Sequence, residues 1–221
     1  MENEIKLAFN SSNELMKVID AKWFKELIID DSRHEPVKLT NIYFDTVDRK
    51  LKSQGTSVRV RLYESSSGTR YEHTVKYGGQ VVNGLHQRYE WNIDSSSSVF
   101  DVDAFLNSVT DDDDPKPVLI EALRGVKSKD LIPLCSTYCE RTTYIANVNG
   151  SSMEVCFDTG FIKGGTLTDD ICELEIELIS GDVDDIKTLS DIITENTDSH
   201  LFNDSKYIRA VRLLDKSNGN A

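Results

Sequence analysis

Residues 172–178 read Cys-Glu-Leu-Glu-Ile-Glu-Leu, an unbroken alternation of acidic and apolar side chains. In a β-strand, successive side chains point to opposite faces, so the three glutamates share one face and the leucines and isoleucine share the other. Like charges on one strand face repel each other unless something binds between them. The stretch therefore predicts a strand with an apolar face for packing and an acidic face for binding.

The same division into an apolar and a charged face recurs along most of the chain. Near position 60, Arg59 and Arg61 alternate with valines and a leucine, and at the N-terminus Glu2, Glu4 and Lys6 share one face. Period-two alternation predicts strands over Glu2–Phe9, Ser57–Tyr63, Arg70–Tyr77, His86–Ile93, Ser136–Val148, Met153–Asp158 and Cys172–Ile179.

Helical spacing of apolar residues is confined to fewer segments. It predicts helices over Asn13–Asp30 and Val183–Thr197 and, from weaker patterns, over Phe100–Val109 and Val118–Gly125. Loops are expected at residues 95–98 and 110–117. These helices interrupt the strands without a regular βαβ rhythm, so we expect an antiparallel α+β fold.

The charged strand faces have two possible surroundings. An open sheet packed on helices would leave them in water, as many antiparallel sheets do. A closed β-barrel would enclose them in a charged lumen, with the helices packed on its apolar outer face, and would leave no unpaired strand edge. The charged faces contain few neutral polar residues and cluster by sign, which favours the closed barrel.

Charge and composition exclude some functions. The chain of 221 residues has a net charge of −13, which argues against a nucleic-acid or anionic-membrane partner. No apolar stretch approaches the roughly 20 residues of a membrane span, and the N-terminus lacks a secretory pattern, so we expect a cytoplasmic protein. We expect one domain over residues 1–215 and a disordered tail over residues 216–221, with no prediction of oligomeric state.

The lumen of such a barrel predicts a definite chemistry. Carboxylates from at least two strands are hard oxygen ligands of the kind that Mg²⁺ or Mn²⁺ takes. Arginine and lysine side chains from other strands match phosphate oxygens. Together they indicate a small polyphosphate substrate held by divalent cations and by basic side chains.

The order of these motifs resembles the CYTH superfamily, also called triphosphate tunnel metalloenzymes. The family signature Glu-x-Glu-x-Lys stands here at residues 2–6. It is followed by Arg59-Val60-Arg61, Thr74-Val75-Lys76, Arg88-Tyr89-Glu90, Arg141, Asp158, Glu173-Leu174-Glu175 and Ser205-Lys206. Residues 84–91 and 171–178 look closest to the bacterial inorganic triphosphatase branch, without the helical CHAD domain of some members. Close relatives place the lysine directly before the first phenylalanine, whereas alanine stands there in this chain.

The resemblance implies an eight-stranded antiparallel barrel that forms a tunnel and hydrolyses inorganic triphosphate to pyrophosphate and orthophosphate. The metal ligands it implies are Glu2, Glu4, Glu90, Asp158, Glu173 and Glu175. The phosphate-binding residues it implies are Lys6, Arg59, Arg61, Lys76, Arg88, Arg141 and Lys206. Catalysis would fall to Lys206, Glu4, Arg59 and Arg61, with Lys206 binding phosphate or orienting the attacking water.

The sequence is compatible with several alternatives. Another enzyme of the superfamily would share fold and metal: a thiamine triphosphatase, a nucleotide or RNA triphosphatase, or a class IV adenylyl cyclase. A polyphosphate-binding module without turnover is the alternative from another class. Glu177 is either a ligand or an ion-pair partner at the rim, His86 either a site residue or a structural hydrogen-bond partner. Arg209 and Arg212 belong either to the tunnel or to the surface.

Overall fold

The computed structural model of the protein describes residues 1–29, 35–66, 68–110 and 115–219. Its strands are β1 (Glu2–Ala8), β2 (Val37–Thr46), β3 (Thr56–Ser65), β4 (Gly68–Val82), β5 (Leu85–Ser95), β6 (Leu131–Val148), β7 (Ser151–Gly164), β8 (Leu167–Ser180) and β9 (His200–Leu201). Its helices are α1 (Ser12–Asp20), α2 (Lys22–Lys25), α3 (Lys50–Ser53), α4 (Val102–Ser108), α5 (Lys116–Ala122), α6 (Asp184–Asn196) and α7 (Lys206–Ser217). Within the described ranges, none of these helices has the length and apolarity needed to cross a membrane.

Strands β1 to β8 form a closed antiparallel barrel, which confirms the predicted fold class. The order is β5-β4-β3-β2-β6-β7-β8-β1, and β1 closes the ring by pairing with β5. Residues 4–8 of β1 pair with β8 on one side, whereas residues 2–5 pair with β5 on the other. The short strand β9 continues that second side beyond the end of β5, at Leu7 and Ala8.

The apolar strand faces point outward and are covered by helices, as expected. Val60, Val75 and Trp91 are at most 2% exposed and pack against α4 and α5 through residues such as Phe105 and Leu119. A second outer layer, made of α1, α2 and α6, covers the apolar face of β1, β7 and β8. The helices thus bury one face of the barrel wall and leave the charged face to the lumen.

Most predicted elements differ from the structure by a few residues at their ends, and three differences are larger or change the type of structure. The predicted helix Asn13–Asp30 is two helices, because Ala21 between them has extended backbone angles of φ −67° and ψ 133°. The predicted loop 110–117 includes Lys116, which begins α5, while residues 111–114 lie outside the described part of the chain. The predicted tail 216–221 overlaps the end of α7, so its first two residues are helical, and residues 220–221 lie outside the described part.

Helix α7 and strand β2 were not predicted from the sequence. Helix α7 packs into part of the lumen that was expected to be charged. Its residues Ala210 and Val211 pack against Ile162 and Ile171, which share strand parity with lumen residues of β7 and β8. The lumen is therefore charged over part of its length and apolar where α7 packs into it. Gly164 allows α7 to pack this closely, because a Cβ at that position would lie within about 2.5 Å of the backbone of α7.

Candidate active site

A cavity of about 460 Å³ occupies the charged part of the barrel. All seven predicted phosphate-binding residues line it, and so do all the predicted metal ligands except Glu173. Glu173 is nevertheless 1% exposed and lies just beyond, in contact with Lys206. The cavity therefore brings together, apart from Glu173, the strand residues that were predicted to bind metal or phosphate, and helix α7 adds Lys206.

Lys206 is the centre of one group of charges in this cavity. Its ammonium nitrogen lies 2.7 Å from Glu175, 2.8 Å from Glu173 and 2.9 Å from Asp158. It is the first residue of α7, whose N-terminus is capped by Ser205. Burial opposes its charge, but the three carboxylates hold the pKa of Lys206 well above its ordinary value. Lys206 is therefore a permanent cation and a hydrogen-bond donor.

Glu175 joins this group to two further cations. Besides Lys206, it accepts from Lys6 at 2.6 Å and from Arg141 at 2.5 Å. Arg141 also binds Asp158 through two parallel bonds of 2.7 and 2.6 Å. Burial opposes ionisation of Glu175, but Lys206, Lys6 and Arg141 hold its pKa well below the ordinary value. This part of the cavity is a compact network of matched opposite charges.

A second group of charges is predominantly acidic. Ligand oxygens of Glu2, Glu90 and Glu177 all lie within 4.8 Å of one another. Lys76 bridges Glu2 and Glu90 at 2.8 Å each, and Arg88 donates to Glu2 at 2.6 Å. Burial and the nearby carboxylate of Glu2 raise the pKa of Glu177 to about 8, and Lys76 offsets this only in part. Below about pH 8 Glu177 is therefore mainly protonated, so the group gains a net negative charge only when that proton is lost.

The two groups differ in their fitness to hold a divalent cation. The ammonium group of Lys206 is surrounded by Asp158, Glu173 and Glu175. These three were expected as metal ligands together with Glu2, Glu4 and Glu90. In the trio Glu2, Glu90 and Glu177, one oxygen of each carboxylate lies within 4.8 Å of the others, and Lys76 contacts only two of the three. Carboxylate oxygen is the donor type that Mg²⁺ and Mn²⁺ prefer. The residues present therefore fit a hard divalent cation, at the acidic trio.

Arg59 and Arg61 line the same cavity from the neighbouring strand β3. Arg59 donates to Thr74 at 2.8 Å and to Glu72 at 3.1 Å, while its Nε is buried without a hydrogen-bond partner among the described residues. Arg61 donates to Asn41 at 2.7 Å. These contacts orient both guanidinium groups, and the Nε of Arg59 keeps a donor for a ligand oxygen.

The amino-acid sequence matches the sequence model of the CYTH domain over residues 1–211. The chain belongs to the CYTH domain family. It is 29% identical over 183 residues to the inorganic triphosphatase of Haemophilus influenzae, covering 83% of this chain and 48% of that protein. The chain thus spans about half the length of this curated relative.

Solved structures share the fold of this CYTH domain. A candidate adenylyl cyclase from Hippeastrum, described as having a dominant triphosphatase activity, superposes with a TM-score of 0.67 at 17% identity over 96% of both chains. A candidate adenylate cyclase from Bacillus halodurans gives a TM-score of 0.56 at 19% identity, over 95% of this chain and 98% of that chain. At these identities the likeness concerns the fold alone.

Residues whose roles were left open are now located in the CYTH domain. Glu177 belongs to the acidic trio, where Lys76 is the cation that acts on it. His86 is 3% exposed and its Nε2 lies 3.5 Å from the carbonyl oxygen of Phe202, a weak structural contact. Arg212 lines the cavity, whereas Arg209 pairs with Glu173 from a second, smaller pocket.

Some lumen residues of the CYTH domain were missed because their elements were missed. Asn41 and Tyr43 face the cavity from β2, and Tyr207 faces it from α7. The alternation within residues 37–44 and the apolar spacing within residues 207–214 are signals that would have predicted both elements. Lys52, from the four-residue helix α3, had no comparable signal.

Proposed function

We propose that this CYTH domain hydrolyses inorganic triphosphate to pyrophosphate and orthophosphate with the help of a divalent cation. The observation that carries the proposal is the cavity, which is lined by an acidic trio and by nine basic side chains. A polyphosphate needs both kinds of partner, since cations neutralise its oxygens and a metal ion activates its phosphoryl groups. A binding module without turnover would need only the basic side chains.

Glu2, Glu90 and Glu177 are the residues that would hold Mg²⁺ or Mn²⁺. Glu4 is a neighbour of this trio, because it pairs in register with Glu177 on the adjacent strand. A bound divalent cation polarises phosphate oxygens and lowers the pKa of a coordinated water. The high pKa of Glu177 fits a carboxylate whose charge is to be balanced by an added cation.

The phosphates would bind to Lys6, Arg59, Arg61, Lys76, Arg88, Arg141 and Lys206. In the protein alone these side chains are held by carboxylates, as Arg88 is by Glu2 and Glu4 at 2.6 and 3.2 Å. The site is therefore preorganised, with its donors aimed before the substrate arrives. Arg59 and Arg61 then stabilise the charge that develops on the transferred phosphoryl group.

Lys206 and Glu4 take the remaining catalytic roles in this proposal. Because Lys206 stays protonated, it donates hydrogen bonds to a phosphate oxygen or to the attacking water, and it does not act as a base. Glu4 is 3% exposed and accepts from Lys6 at 2.5 Å. As a carboxylate beside the metal trio, it is the candidate acceptor of the water proton.

Inorganic triphosphate is the substrate that this lining favours. Basic residues from several strands can engage both ends of a short polyanion, whereas a nucleoside or thiamine ester would remove one terminal charge. Leaving buried charged groups unpaired is costly, so discrimination of several kcal/mol is expected. The relative from Haemophilus influenzae, named as an inorganic triphosphatase, points to the same substrate.

The experiment is a panel of substrates under one set of conditions. We expect kcat/KM to be highest for triphosphate with Mg²⁺ or Mn²⁺, lower for ATP and thiamine triphosphate, and lowest for pyrophosphate, with EDTA abolishing turnover. One orthophosphate and one pyrophosphate should appear per triphosphate. Comparable values for ATP, or formation of cyclic AMP, would overturn the substrate assignment, and binding without turnover would overturn the enzymatic one.

The same proposal includes the cellular setting. A small anionic substrate in a cavity with this lining requires neither nucleic acid nor a membrane as partner. We place the activity in the cytoplasm, with residues 1–215 acting as one domain. Because the chain covers 48% of its curated relative, the activity proposed here is that of the CYTH domain alone.

A further inference from the structure

The outer wall of the barrel has a strip that the helices leave uncovered. Helix α2 covers Tyr144 of β6, whose ring centroid lies 5.8 Å from that of Phe24. Tyr138 lies six residues earlier on the same face of β6 and is 38% exposed, and Phe161 on the outer face of β7 is 40% exposed. Neither side chain belongs to the buried clusters that the helices of the described ranges form with the barrel. This part of β6 and β7 therefore faces solvent.

The two exposed rings form one apolar surface. Tyr138 and Phe161 are directly opposite each other on neighbouring strands, and their rings stack with centroids 4.9 Å apart. On the other side of β6, Thr40 and Ile42 of β2 pair with Tyr138 and Ser136, and Ile42 is only half-buried. Contiguous exposed apolar surface indicates an interaction site, whereas single exposed apolar residues do not. Tyrosine and phenylalanine are also enriched at the centres of protein interfaces.

The charges around these rings are balanced, unlike those of the whole chain. Lys38 lies beside Glu140 on the neighbouring strand, and Asp170 lies beside Phe161. Lys163 brings this surface to two acidic and two basic residues, whereas the chain has a net charge of −13. Two copies of such a chain repel each other over most of their surface, and the repulsion is weakest where the local charge is zero. A second copy can therefore approach at this surface.

Glu140 and Lys163, both exposed, lie on opposite sides of the aromatic pair. Each follows its aromatic residue by two positions, Glu140 on β6 and Lys163 on β7, and the two strands are antiparallel. The two charges are therefore about 13 Å apart along the strands, too far for an ion pair within one chain. A two-fold axis can lie in the interface, through the aromatic pair and perpendicular to the line from Glu140 to Lys163. Rotation about it places Lys163 of a second copy on Glu140 of the first, and the reverse, so the surface is complementary to itself.

We propose that the chain forms a symmetric dimer through the outer faces of β6 and β7. Tyr138 and Phe161 of the two copies are in contact at its centre, and Glu140 of each copy pairs with Lys163 of the other. The exposed surface is small beside the roughly 800 Å² per partner of a standard interface, so the dimer is weak and reversible. The inference does not depend on the proposed function, because none of these four residues lines the cavity.

Charge reversal tests the pairing between the two copies. In Glu140→Lys and in Lys163→Glu, both charged contacts of the dimer join like charges, so each variant should dimerise roughly tenfold more weakly or worse than the wild type. An equimolar mixture of the two variants should restore dimerisation, because a mixed dimer again joins opposite charges at both contacts. Lys127→Glu, a charge reversal at an exposed position outside this surface, is the matched control and should dimerise like the wild type.

Sedimentation equilibrium between about 1 μM and about 1 mM, a range that covers weak complexes, supplies the dissociation constants. Tyr138→Ser and Phe161→Ser should each abolish the dimer, whereas Val99→Ser, at a valine that is 68% exposed elsewhere, should preserve it. A wild type that stays monomeric throughout this range would overturn the inference. So would a dimer that both serine variants retain, or a mixture of the charge-reversed variants that associates no better than either variant alone.

Discussion

The Nζ of Lys206, at the start of α7, lies 2.9 Å from a carboxylate oxygen of Asp158 in the middle of β7. This ion pair connects helix α7, which packs into the barrel, to the charged part of the lumen. The position of Lys206 therefore depends on how closely α7 approaches β7, and Gly164 of β7 sets that approach.

We expect Gly164→Ala to lower kcat for triphosphate by roughly tenfold or more. An added Cβ would press on the backbone of α7 near Leu214, and displacement of a positioned group by about 1 Å can cost 100-fold in rate. KM should change less, since the cations of β3 and β5 stay in place. Thr166→Ala, which loosens a contact to Ser217 at the end of α7 without pushing the helix, is the control. Equal kcat for Gly164→Ala and the wild type would contradict the idea that α7 positions Lys206.

Glu177→Gln should raise the melting temperature of the metal-free protein and abolish its further rise with Mg²⁺. The folded-state pKa of Glu177 is raised to about 8 from 4.5, so its favourable contribution is complete below about pH 4.5 and is lost as the pH rises through 8. The advantage of the variant should therefore grow between pH 5 and 9. A gain of 1 kcal/mol corresponds to about 2–4 °C in a chain of this size.

Glu195→Gln, which removes the same charge from the exposed face of α6, controls for the change in net charge. Thermal unfolding at several pH values, each with EDTA and with Mg²⁺, supplies the measurement. A variant of Glu177 that is still stabilised by Mg²⁺ as strongly as the wild type would exclude this residue as a ligand.

Glu175→Gln should have the opposite effect on stability. Its carboxylate is shared by Lys6, Arg141 and Lys206, and removal of one partner from a buried ion pair costs about 3–5 kcal/mol. The melting temperature should therefore fall by roughly 6–20 °C at about 2–4 °C per kcal/mol. Because the pKa of Glu175 is depressed, its contribution is present above about pH 4.5 and is lost as the pH falls further.

The difference in melting temperature between the wild type and Glu175→Gln should therefore become smaller at acidic pH. The difference between the wild type and Glu177→Gln should become smaller below neutral pH and larger at alkaline pH. The two glutamates lie on one strand face, two positions apart, and the substitution is the same. Shifts of the same sign for both variants at pH 8 would show that the charge balance around them is not the one described above.

Arg59→Ala and Arg61→Ala should each lower kcat/KM for triphosphate by about 10- to 150-fold. Each removes a charge-assisted contact to phosphate, worth roughly 1.5–3 kcal/mol. Lys127→Ala, at an exposed position between α5 and β6, should leave kcat/KM within a factor of two. Steady-state kinetics decide the matter, and equal effects at all three positions would argue against a substrate held by the β3 arginines.

Much of the site was predictable from residue parity alone. In a strand, the face of a side chain depends only on whether its position is odd or even, so Arg59, Arg61 and Glu175 were assigned to the lumen without knowledge of the pairing. Glu173 shares that parity, and the structure buries it beside Lys206. The closed barrel was also predictable, because each strand has a charged and an apolar face and because an open sheet would leave unpaired strand edges.

Which charges meet inside the barrel was not predictable in this way. Register and closure bring Glu177 opposite Glu4 and beside Glu2 and Glu90, whereas Glu175 meets Lys206 from a distant helix. Those contacts depend on the register of the eight strands and on the position of α7 in the barrel. No short stretch of sequence encodes either of these. The amino-acid sequence by itself determined which faces are charged, because that property is local. The tertiary structure alone decided which carboxylates are surrounded by cations and which lie mainly beside other carboxylates, because that depends on distances between strands far apart in the chain.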